Sequence, residues 1–170
     1  MAERRVVLAI DGSNYSDEAF NFYCENLHKE NDLILVIHAF ELNIIPAASY
    51  PYGWSCFLED GLVYAEQWSD LSREANEESE EVLRKIGRKC EEHSKQNDKF
   101  KFELYKEDGK PGEVICKFAQ SKKAEMIVIG CRGLGAIGRT LLGSVSDYCV
   151  HNAHIPVAVV RSSSPEEHKE

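Results

Sequence analysis

The residues best suited to chemistry lie in a glycine-rich stretch near the carboxyl end of the chain. Five glycines occur there in fourteen residues: Gly130, Gly133, Gly135, Gly138 and Gly143. The stretch follows the apolar run MIVI at 126–129 and precedes a helical pattern, so it connects a buried strand to a helix. Backbone N–H groups and the positive end of a helix form a binding site for anions in that position. The spacing therefore predicts a phosphate site, with Ser144 as a helix-capping hydroxyl.

Two established phosphate motifs fit this stretch incompletely. Gly133-x-Gly135-x-x-Gly138 matches the dinucleotide fingerprint by letter, but that fingerprint needs an acidic residue at the end of the next strand, and here that strand ends at Arg161. Gly133-x4-Gly138-Arg139-Thr140 is one letter short of a P-loop, with an arginine fork where the compact charge of lysine is required. A third alternative is a tight crossover loop that binds no ligand.

The elements that must position this loop alternate along the chain. Short apolar runs predict strands at Arg5–Ile10, Asp32–Phe40, Lys99–Lys106, Met126–Ile129 and Ile155–Arg161. Helical spacing predicts helices from Ser13 or Asn14 to about Leu27, from about Leu62 to Gln96, at Pro111–Ala119 and at Gly143–Asn152. In the third strand Phe100, Phe102 and Leu104 alternate with charged residues, which indicates an edge strand with one wetter face.

Strands separated by helices favour right-handed crossovers and a parallel sheet covered on both faces. We therefore expect an α/β fold, a flavodoxin-like (Rossmann-like) doubly wound sheet of five parallel strands in the order 3-2-1-4-5. One domain should span 1–162, followed by a polar disordered tail at 163–170. In such a sheet the ligand crevice lies where the winding reverses, here between the turn Asp11–Asn14 and the loop Gly130–Gly143. The loop at 41–61 contains Ser49–Phe57, which would either cover the ligand or pack on the surface.

Composition excludes several classes of partner and compartment. The net charge is −9, which opposes binding to nucleic acid or to anionic membranes. No apolar run approaches the roughly 20 residues of a membrane helix, and the amino end reads as a strand rather than a signal peptide. Six cysteines without a CxxC pair are typical of reduced thiols, so we expect a cytoplasmic protein.

Other clusters of reactive residues are better explained by packing. Cys149, His151 and His154 do not share one helix face, so we predict no metal ligands. Ser144, Asp147 and His151 have the letters of a hydrolytic triad but lack its nucleophile elbow. His38 ends a buried strand and is predicted to be a core or crevice histidine. We therefore assign no catalytic residue.

The full spacing Gly130-x2-Gly133-x9-Gly143-Ser144 resembles the nucleotide loop of the universal stress protein family, in its ATP-binding branch, whose pattern is G-x2-G-x9-G-[ST]. The resemblance extends to AIDGS at 9–13, His38-Ala39, LLGSVS at 141–146 and HIPV at 154–157. It thus covers the whole chain.

This resemblance implies an adenine nucleotide, ATP or else ADP or AMP, lying across the carboxyl edge of the sheet. It places the adenine near Ala9, Asp11 and Ala39, with Asp11 accepting a hydrogen bond from the base or ribose. Gly130, Arg132 and Gly133 would line the ribose and first phosphates. Donors to the phosphates would come from Gly143, Ser144, Val145 and Ser146.

The resemblance also implies a stress-response regulatory protein that forms a homodimer through its C-terminal strand. Val157, Val159 and Arg161 would form an edge strand without the lysine or mid-strand proline that blocks pairing. Any Mg²⁺ would be held by the phosphates of the nucleotide. The alternative function is slow ATP hydrolysis at the same site.

Overall fold

A computed structural model describes residues 3–41, 61–131 and 142–161, with only the backbone described for 61–72 and 74. It contains five parallel strands in the order β3-β2-β1-β4-β5. Their bounds are β1 (Arg4–Ala9), β2 (Asp32–Phe40), β3 (Lys101–Asp108), β4 (Met126–Cys131) and β5 (Val157–Arg161). The predicted flavodoxin-like order is confirmed. The domain limit at 162 stays a prediction, and Ser49–Phe57 and the tail 163–170 lie outside the described residues.

Four helices connect the strands. They are α1 (Asn14–Phe22), which continues as a π-helical turn at Tyr23–Leu27, α2 (Gly61–Gln96), α3 (Pro111–Ser121) and α4 (Ser144–Asn152). Ser13 caps α1, its hydroxyl accepting a hydrogen bond from the N–H of Ser16 at 3.3 Å. Pro111 opens α3, where its missing N–H costs nothing. In the described ranges no helix combines the length and the apolar character needed to cross a membrane.

Several predicted boundaries differ from the structure by one or two residues, and three of these differences have local reasons. The third strand begins at Lys101 rather than Lys99, because Phe100 closes a turn onto the carbonyl of Asn97 at 2.9 Å. The last strand begins at Val157 rather than Ile155, because His154 has φ +53° and the chain must first return to an extended path. The fourth helix begins at Ser144, with Gly143 as its cap.

The core consists of two clusters, one on each face of the sheet. On the side of α1 and α2, alternate strand residues such as Leu8 and Val36 pack against Phe20 and Ile86. On the side of α3 and α4, their neighbours in the strands pack against Ile115 and Cys149. This alternation follows from the two-residue period of a strand, and it confirms helices on both faces.

Leu104 departs from the predicted pattern of the edge strand. Phe100 is buried and Phe102 packs on the α2-side cluster, as expected, but Leu104 is 38% exposed. Its side chain lies beside Gly87 of α2, where an added Cβ would be 3.1 Å from its Cδ1 atom. Because glycine has no side chain, the helix leaves Leu104 partly uncovered at this point.

A buried ion pair lies at the opposite, amino-terminal edge of the sheet. The fully buried Asp32 accepts hydrogen bonds from Arg4 at 2.7 and 2.5 Å and from the hydroxyl of Tyr23 at 2.6 Å. Burial alone would raise the pKa of Asp32, but these donors and the backbone N–H of Lys29 lower it below its ordinary value. Burial also lowers the pKa of the neighbouring His28, whose Nε2 atom is buried without a hydrogen-bond partner in the described part of the chain. Both groups are therefore held in the charge state that they have at neutral pH.

Candidate functional site

The candidate site lies at the carboxyl edge of the sheet, where β1 lies between β2 and β4. Ala9 ends β1 opposite Ile37 of β2 and Ile129 of β4. Two residues later, the exposed carboxylate of Asp11 accepts hydrogen bonds from the backbone N–H of Ser13 at 3.0 Å and its hydroxyl at 2.5 Å. Gly12 between them has φ +79°, which glycine adopts without strain. Asp11 thus shapes the turn that leads into α1.

The predicted apolar residues of the site share one face. Ala9 is buried in the cluster on the α3 and α4 side, and Ala39 and Val145 pack against the same cluster. Ala39 belongs to β2 and Val145 to the first turn of α4, so three distant parts of the sequence converge here. A flat aromatic ligand in contact with Ala9 and Ala39 would therefore lie on the same side of the sheet as the start of α4.

The first turn of α4 presents unsatisfied backbone donors. Its first internal hydrogen bond runs from the N–H of Asp147 to the carbonyl of Gly143 at 2.8 Å, and no side chain caps the helix. The N–H groups of Ser144, Val145 and Ser146 precede that bond, as at any helix start, and within the described residues none has an acceptor. This is the arrangement that binds a phosphate.

The two serines of this turn have different environments. Ser146 is buried and its hydroxyl donates to the carbonyl of Gly143 at 2.9 Å. Ser144 is exposed and is the first helical residue rather than the cap, which corrects the expectation of a capping hydroxyl. Its hydroxyl has no partner among the described residues and is the side-chain donor best placed for a ligand.

A hydrogen bond that was not predicted from the sequence connects Gly143 to the end of β4. The N–H of Gly143 donates to the sulfur of Cys131 at 3.4 Å. Cys131 is the last residue of β4 and is buried. The bond joins the two ends of the segment 132–141, which lies outside the described residues together with the predicted ligand residues Arg132 and Gly133. The start of α4 is thereby held at the end of β4.

Gly130 lies too close to the backbone of α1 to carry a side chain. A Cβ atom at this position would lie 2.3 Å from the carbonyl oxygen of Tyr15 and 3.0 Å from the nitrogen of Ser16. Both atoms are backbone atoms of α1, which packs against β4 at this point. A glycine is needed here whether or not a ligand binds.

A separate pocket of about 180 Å³ lies on the α2 side of the same strand ends. Its polar lining comprises Asp11, His38, Glu41, Glu78 and Ser79. The Nδ1 atom of His38 lies 2.8 Å from the carbonyl of Ile10 and must donate to it, so in the neutral ring Nε2 is an acceptor. The contribution of α2 to this pocket was not predicted, although the apolar stripe of that helix indicates which face turns toward the sheet.

The two sides of the strand ends thus differ in electrostatic character. The α2 side carries carboxylates and acceptors, and α1, which begins on that side, is capped by Ser13, whereas the α4 side carries the positive end of a helix that no side chain caps. Among the residues described, no group of three or more His, Cys, Asp or Glu side chains could hold a metal ion. A ligand that bridges both sides would need an anionic part at α4 and hydrogen-bond donors near Asp11.

Comparisons with known proteins identify the family of this chain. The sequence model of the Universal stress protein family matches residues 3–161. A universal stress protein of Methanocaldococcus jannaschii is 31% identical over 163 residues, which cover 96% of this chain and 85% of that protein.

Solved structures of other universal stress proteins share the fold. A family protein from Arabidopsis thaliana with AMP bound has a TM-score of 0.64 at 22% identity, over 96% of this chain and 97% of that chain. A universal stress protein in complex with cAMP has a TM-score of 0.53 at 22% identity, over 96% and 100% of the two chains. With the family match over residues 3–161, these likenesses lead to one conclusion: the chain belongs to the universal stress protein family.

Proposed function

We propose that this protein binds an adenine nucleotide, ATP, across the carboxyl edge of β1 and β4, and that it acts in a stress response through the bound state. The observation that carries the proposal is the first turn of α4, whose three N–H groups lack acceptors in the described structure. That turn lies beside the cluster containing Ala9 and Ala39, at the point where the winding of the sheet reverses.

In this proposal the phosphates lie against the start of α4. The N–H groups of Ser144, Val145 and Ser146 and the exposed Ser144 hydroxyl donate to phosphate oxygens, and the helix dipole favours their negative charge. Gly143 lets the phosphates approach the backbone. Arg132 and Gly133 are assigned to the ribose and first phosphates on the loop spacing alone.

The base and ribose lie toward β1 and β2. Ala9 and Ala39 offer a small apolar surface for the adenine, and Asp11 accepts a hydrogen bond from the ribose or the base. The carboxylates of the α2 side repel phosphates, so they favour the orientation with the phosphates at α4. The structures of relatives with AMP and cAMP support an adenine nucleotide, whereas the choice of ATP rests on the complete loop pattern.

Magnesium, when present, would enter with the nucleotide. Mg²⁺ keeps several waters and is commonly bound through substrate phosphates and one or two carboxylates. The described residues offer no preformed cluster for it, so phosphate oxygens would be its main ligands.

Slow ATP hydrolysis is the second candidate function. The observation in its favour is the Nε2 atom of His38, a hydrogen-bond acceptor in the pocket that also contains Asp11. However, His38 lies on the α2 side of the sheet, opposite the cluster with Val145. A general base must lie within hydrogen-bonding reach of the attacking water, so we favour binding over turnover.

We further propose a cytoplasmic homodimer. No disulfide joins the five cysteines in the described residues, which fits a reducing compartment. Among the described strands β5 pairs only with β4, and its first four residues are half-buried and without a charge. A second copy of the chain would cover that edge.

Substitutions at Ser144 test the phosphate site. Ser144→Asp adds a negative charge at the start of α4, where it stabilises the helix by about 0.3–1 kcal/mol but repels phosphates. We expect ATP affinity to fall at least about tenfold while the melting temperature is kept or raised. Ser144→Asn is the matched control, because it has the size of aspartate without the charge.

The measurement is calorimetric titration of both variants with ATP, ADP, AMP and GTP. Equal ATP affinity in the Asp and Asn variants would place the phosphates elsewhere. Chromatography of the nucleotide released from the purified protein identifies the natural ligand, and a guanine nucleotide there would contradict the proposal.

A further inference from the structure

The floor of the pocket on the α2 side is formed by two buried polar side chains. His38 of β2 is 7% exposed and Ser79 of α2 is 2% exposed, and both line the pocket. In β2, Ile34 and Val36 pack toward α2, so the two-residue period of the strand turns His38 to the same side. The rings of His38 and Phe40 lie nearly parallel, with their centres 6.2 Å apart. The histidine ring is therefore held in a fixed orientation at the floor.

Both side chains of the floor use their hydrogen-bond donors within the protein. The Nδ1 atom of His38 donates to the carbonyl of Ile10 at 2.8 Å, and the hydroxyl of Ser79 donates to the carbonyl of Ala75, one turn earlier in α2, at 2.8 Å. The groups that remain for a ligand are the Nε2 atom of the neutral His38 ring and the oxygen of Ser79, which are acceptors. Nε2 has no partner among the residues described. Because a buried acceptor without a donor costs free energy, a ligand that supplies a donor is favoured.

The rim of the pocket consists of carboxylates. Asp11, Glu41 and Glu78 line it, and all three residues are exposed. Among the described residues no lysine or arginine belongs to the lining. The lining side chains therefore offer acceptors from the floor to the rim, and the charge of the rim attracts cations.

We propose that this pocket binds a short alkyl diamine in its protonated form. One ammonium group donates to Nε2 of His38 and to the oxygen of Ser79, and the other lies among the carboxylates of the rim. An alkylammonium group has three N–H donors and no acceptor, which complements a lining made of acceptors. The alkyl chain lies against the apolar part of the lining, which consists of Phe40, Ala75 and Val82. This proposal does not depend on nucleotide binding.

The size of the pocket and the spread of its charges favour a diamine over a metal ion. A volume of about 180 Å³ corresponds to about six water molecules at about 30 Å³ each, and so to a ligand of about six heavy atoms. Putrescine, the diamine of butane, is of this size. In the part of the chain that the structure describes, the acidic and histidine side chains form no group that could hold a metal ion. The positive charge that fits them is therefore distributed along a molecule.

A close contact between α2 and the turn after β1 fixes one wall of the pocket. A Cβ atom at Gly12 would lie 2.8 Å from the Cγ2 atom of Val82, so the helix rests directly on the backbone of the turn. Val82 and the neighbouring Asp11 both line the pocket. The positions of the rim and of the helix are thus set before a ligand enters, which lowers the entropic cost of binding.

The experiment is a calorimetric titration of the nucleotide-free, full-length protein with putrescine. We expect one site per chain with a dissociation constant of about 1 mM or lower, which a ligand of about six heavy atoms can reach. Two ligand controls separate the contributions of charge and donors. Butanediol keeps the chain and two donors without the charge, and tetramethylammonium keeps the charge without an N–H group.

Both control ligands should bind at least about tenfold more weakly than putrescine. Equal binding of butanediol would show that the pocket accepts hydroxyl groups, such as those of a ribose, and would overturn the proposal. Equal binding of tetramethylammonium would reduce the interaction to unspecific attraction by the negative charge, and would also overturn it.

Variants of the protein test the floor and the rim separately. His38→Phe removes the Nε2 acceptor but keeps a ring beside Phe40, and should weaken putrescine binding at least about tenfold. Glu78→Gln removes one charge from the rim at an exposed position, and should weaken binding about three- to fivefold. Glu77→Gln is the matched control, because Glu77 is the neighbouring glutamate and does not line the pocket. It should leave binding unchanged.

The melting temperature of each variant shows whether it is folded. If His38→Phe does not fold, the comparison of Glu78→Gln with Glu77→Gln decides alone, since both residues are exposed on α2. Equal effects of these two substitutions, or the absence of saturable putrescine binding to the unmodified protein, would overturn the proposal.

Discussion

Replacing Gly130 by alanine tests whether the backbone contact between α1 and β4 is as rigid as the structure indicates. The added Cβ would lie 2.3 Å from the carbonyl oxygen of Tyr15 and 2.6 Å from its carbonyl carbon. Ordinary van der Waals contact begins at 3.4 Å, so the two elements must separate by about 1 Å. No rotamer change relieves this overlap, because both partners are backbone atoms.

The expected cost is at the upper end of that for overpacked cores, about 3 kcal/mol. For a domain of this size that corresponds to a fall in melting temperature of roughly 6–12 °C. The separation would also displace the first turn of α1, and with it the turn that contains Asp11 and Ser13. We therefore expect weaker ATP binding at temperatures where the variant is still folded.

Gly87→Ala is the matched control. Gly87 lies inside α2, where alanine is more favourable than glycine by about 1 kcal/mol. Its added Cβ would meet only the end of the Leu104 side chain, at 3.1 Å, and that side chain is partly exposed and can move. This variant should be as stable as the wild type or more stable.

Urea unfolding followed by circular dichroism measures both variants on one scale. Gly130→Ala should lower the free energy of unfolding, whereas Gly87→Ala should keep or raise it, and a general intolerance of alanine cannot produce this difference. If Gly130→Ala unfolds within about 0.5 kcal/mol of the wild type, α1 shifts without cost and the close approach is not a constraint.

Three further predictions concern the buried charges and the reaction. Asp32→Asn should destabilise the protein by about 3–5 kcal/mol, because the partly buried Arg4 loses its charged partner. The control is Glu77→Gln in the exposed pair with Arg73, which should change stability by less than about 0.5 kcal/mol. Similar losses of stability for both variants in urea titrations would contradict this prediction. Because its folded pKa is lowered, the stability that Asp32 contributes is present above its unfolded pKa of 3.8 and is lost as the pH falls through its folded pKa. The lowered pKa of His28 affects stability at a higher pH. The stabilisation is present above pH 6.5 and is lost as the pH falls, because the unfolded state binds the proton more readily. His28→Phe should therefore make the loss of stability between about pH 6.5 and 5 less steep, and an unchanged slope would assign that loss to other groups. Phosphate release at saturating ATP and Mg²⁺ should stay below about 0.01 s⁻¹, and a rate above about 1 s⁻¹ that Ser144→Asp removes would identify an enzyme.

The alternation of strands and helices was predictable because its evidence is local, and the strand order followed from the flavodoxin-like fold that this alternation favours. Each buried strand is a short apolar run, and each helix shows its own spacing, so the alternation of the two can be read without tertiary contacts. The long α2 followed from apolar residues at helical spacing, and its end at Gln96 was predicted correctly. The converging residues Ala9, Ala39 and Val145 followed from the family resemblance together with this topology.

The features that were missed depend on contacts between distant residues. The exposure of Leu104 follows from Gly87 on another element, and the alternation within β3 does not contain that information. The bond from Gly143 to the sulfur of Cys131 joins residues 12 positions apart across a loop, and cysteine is a weak acceptor that no motif assigns to this role. The pocket beside His38 requires the face of α2 and the ends of two strands at once.

The pairing of β1 with β4 affects the order in which the sheet forms while the chain is being synthesised. β1 ends at Ala9 and β4 begins at Met126, so the ribosome must add more than a hundred residues before the two strands can meet. β1, β2 and β3 are adjacent in the sheet and come earlier in the chain, so they can pair while synthesis continues. Contacts between residues far apart in sequence form slowly. The candidate site is built on the seam between β1 and β4, so in a nascent chain it is complete only after β4 and the start of α4 have joined the sheet.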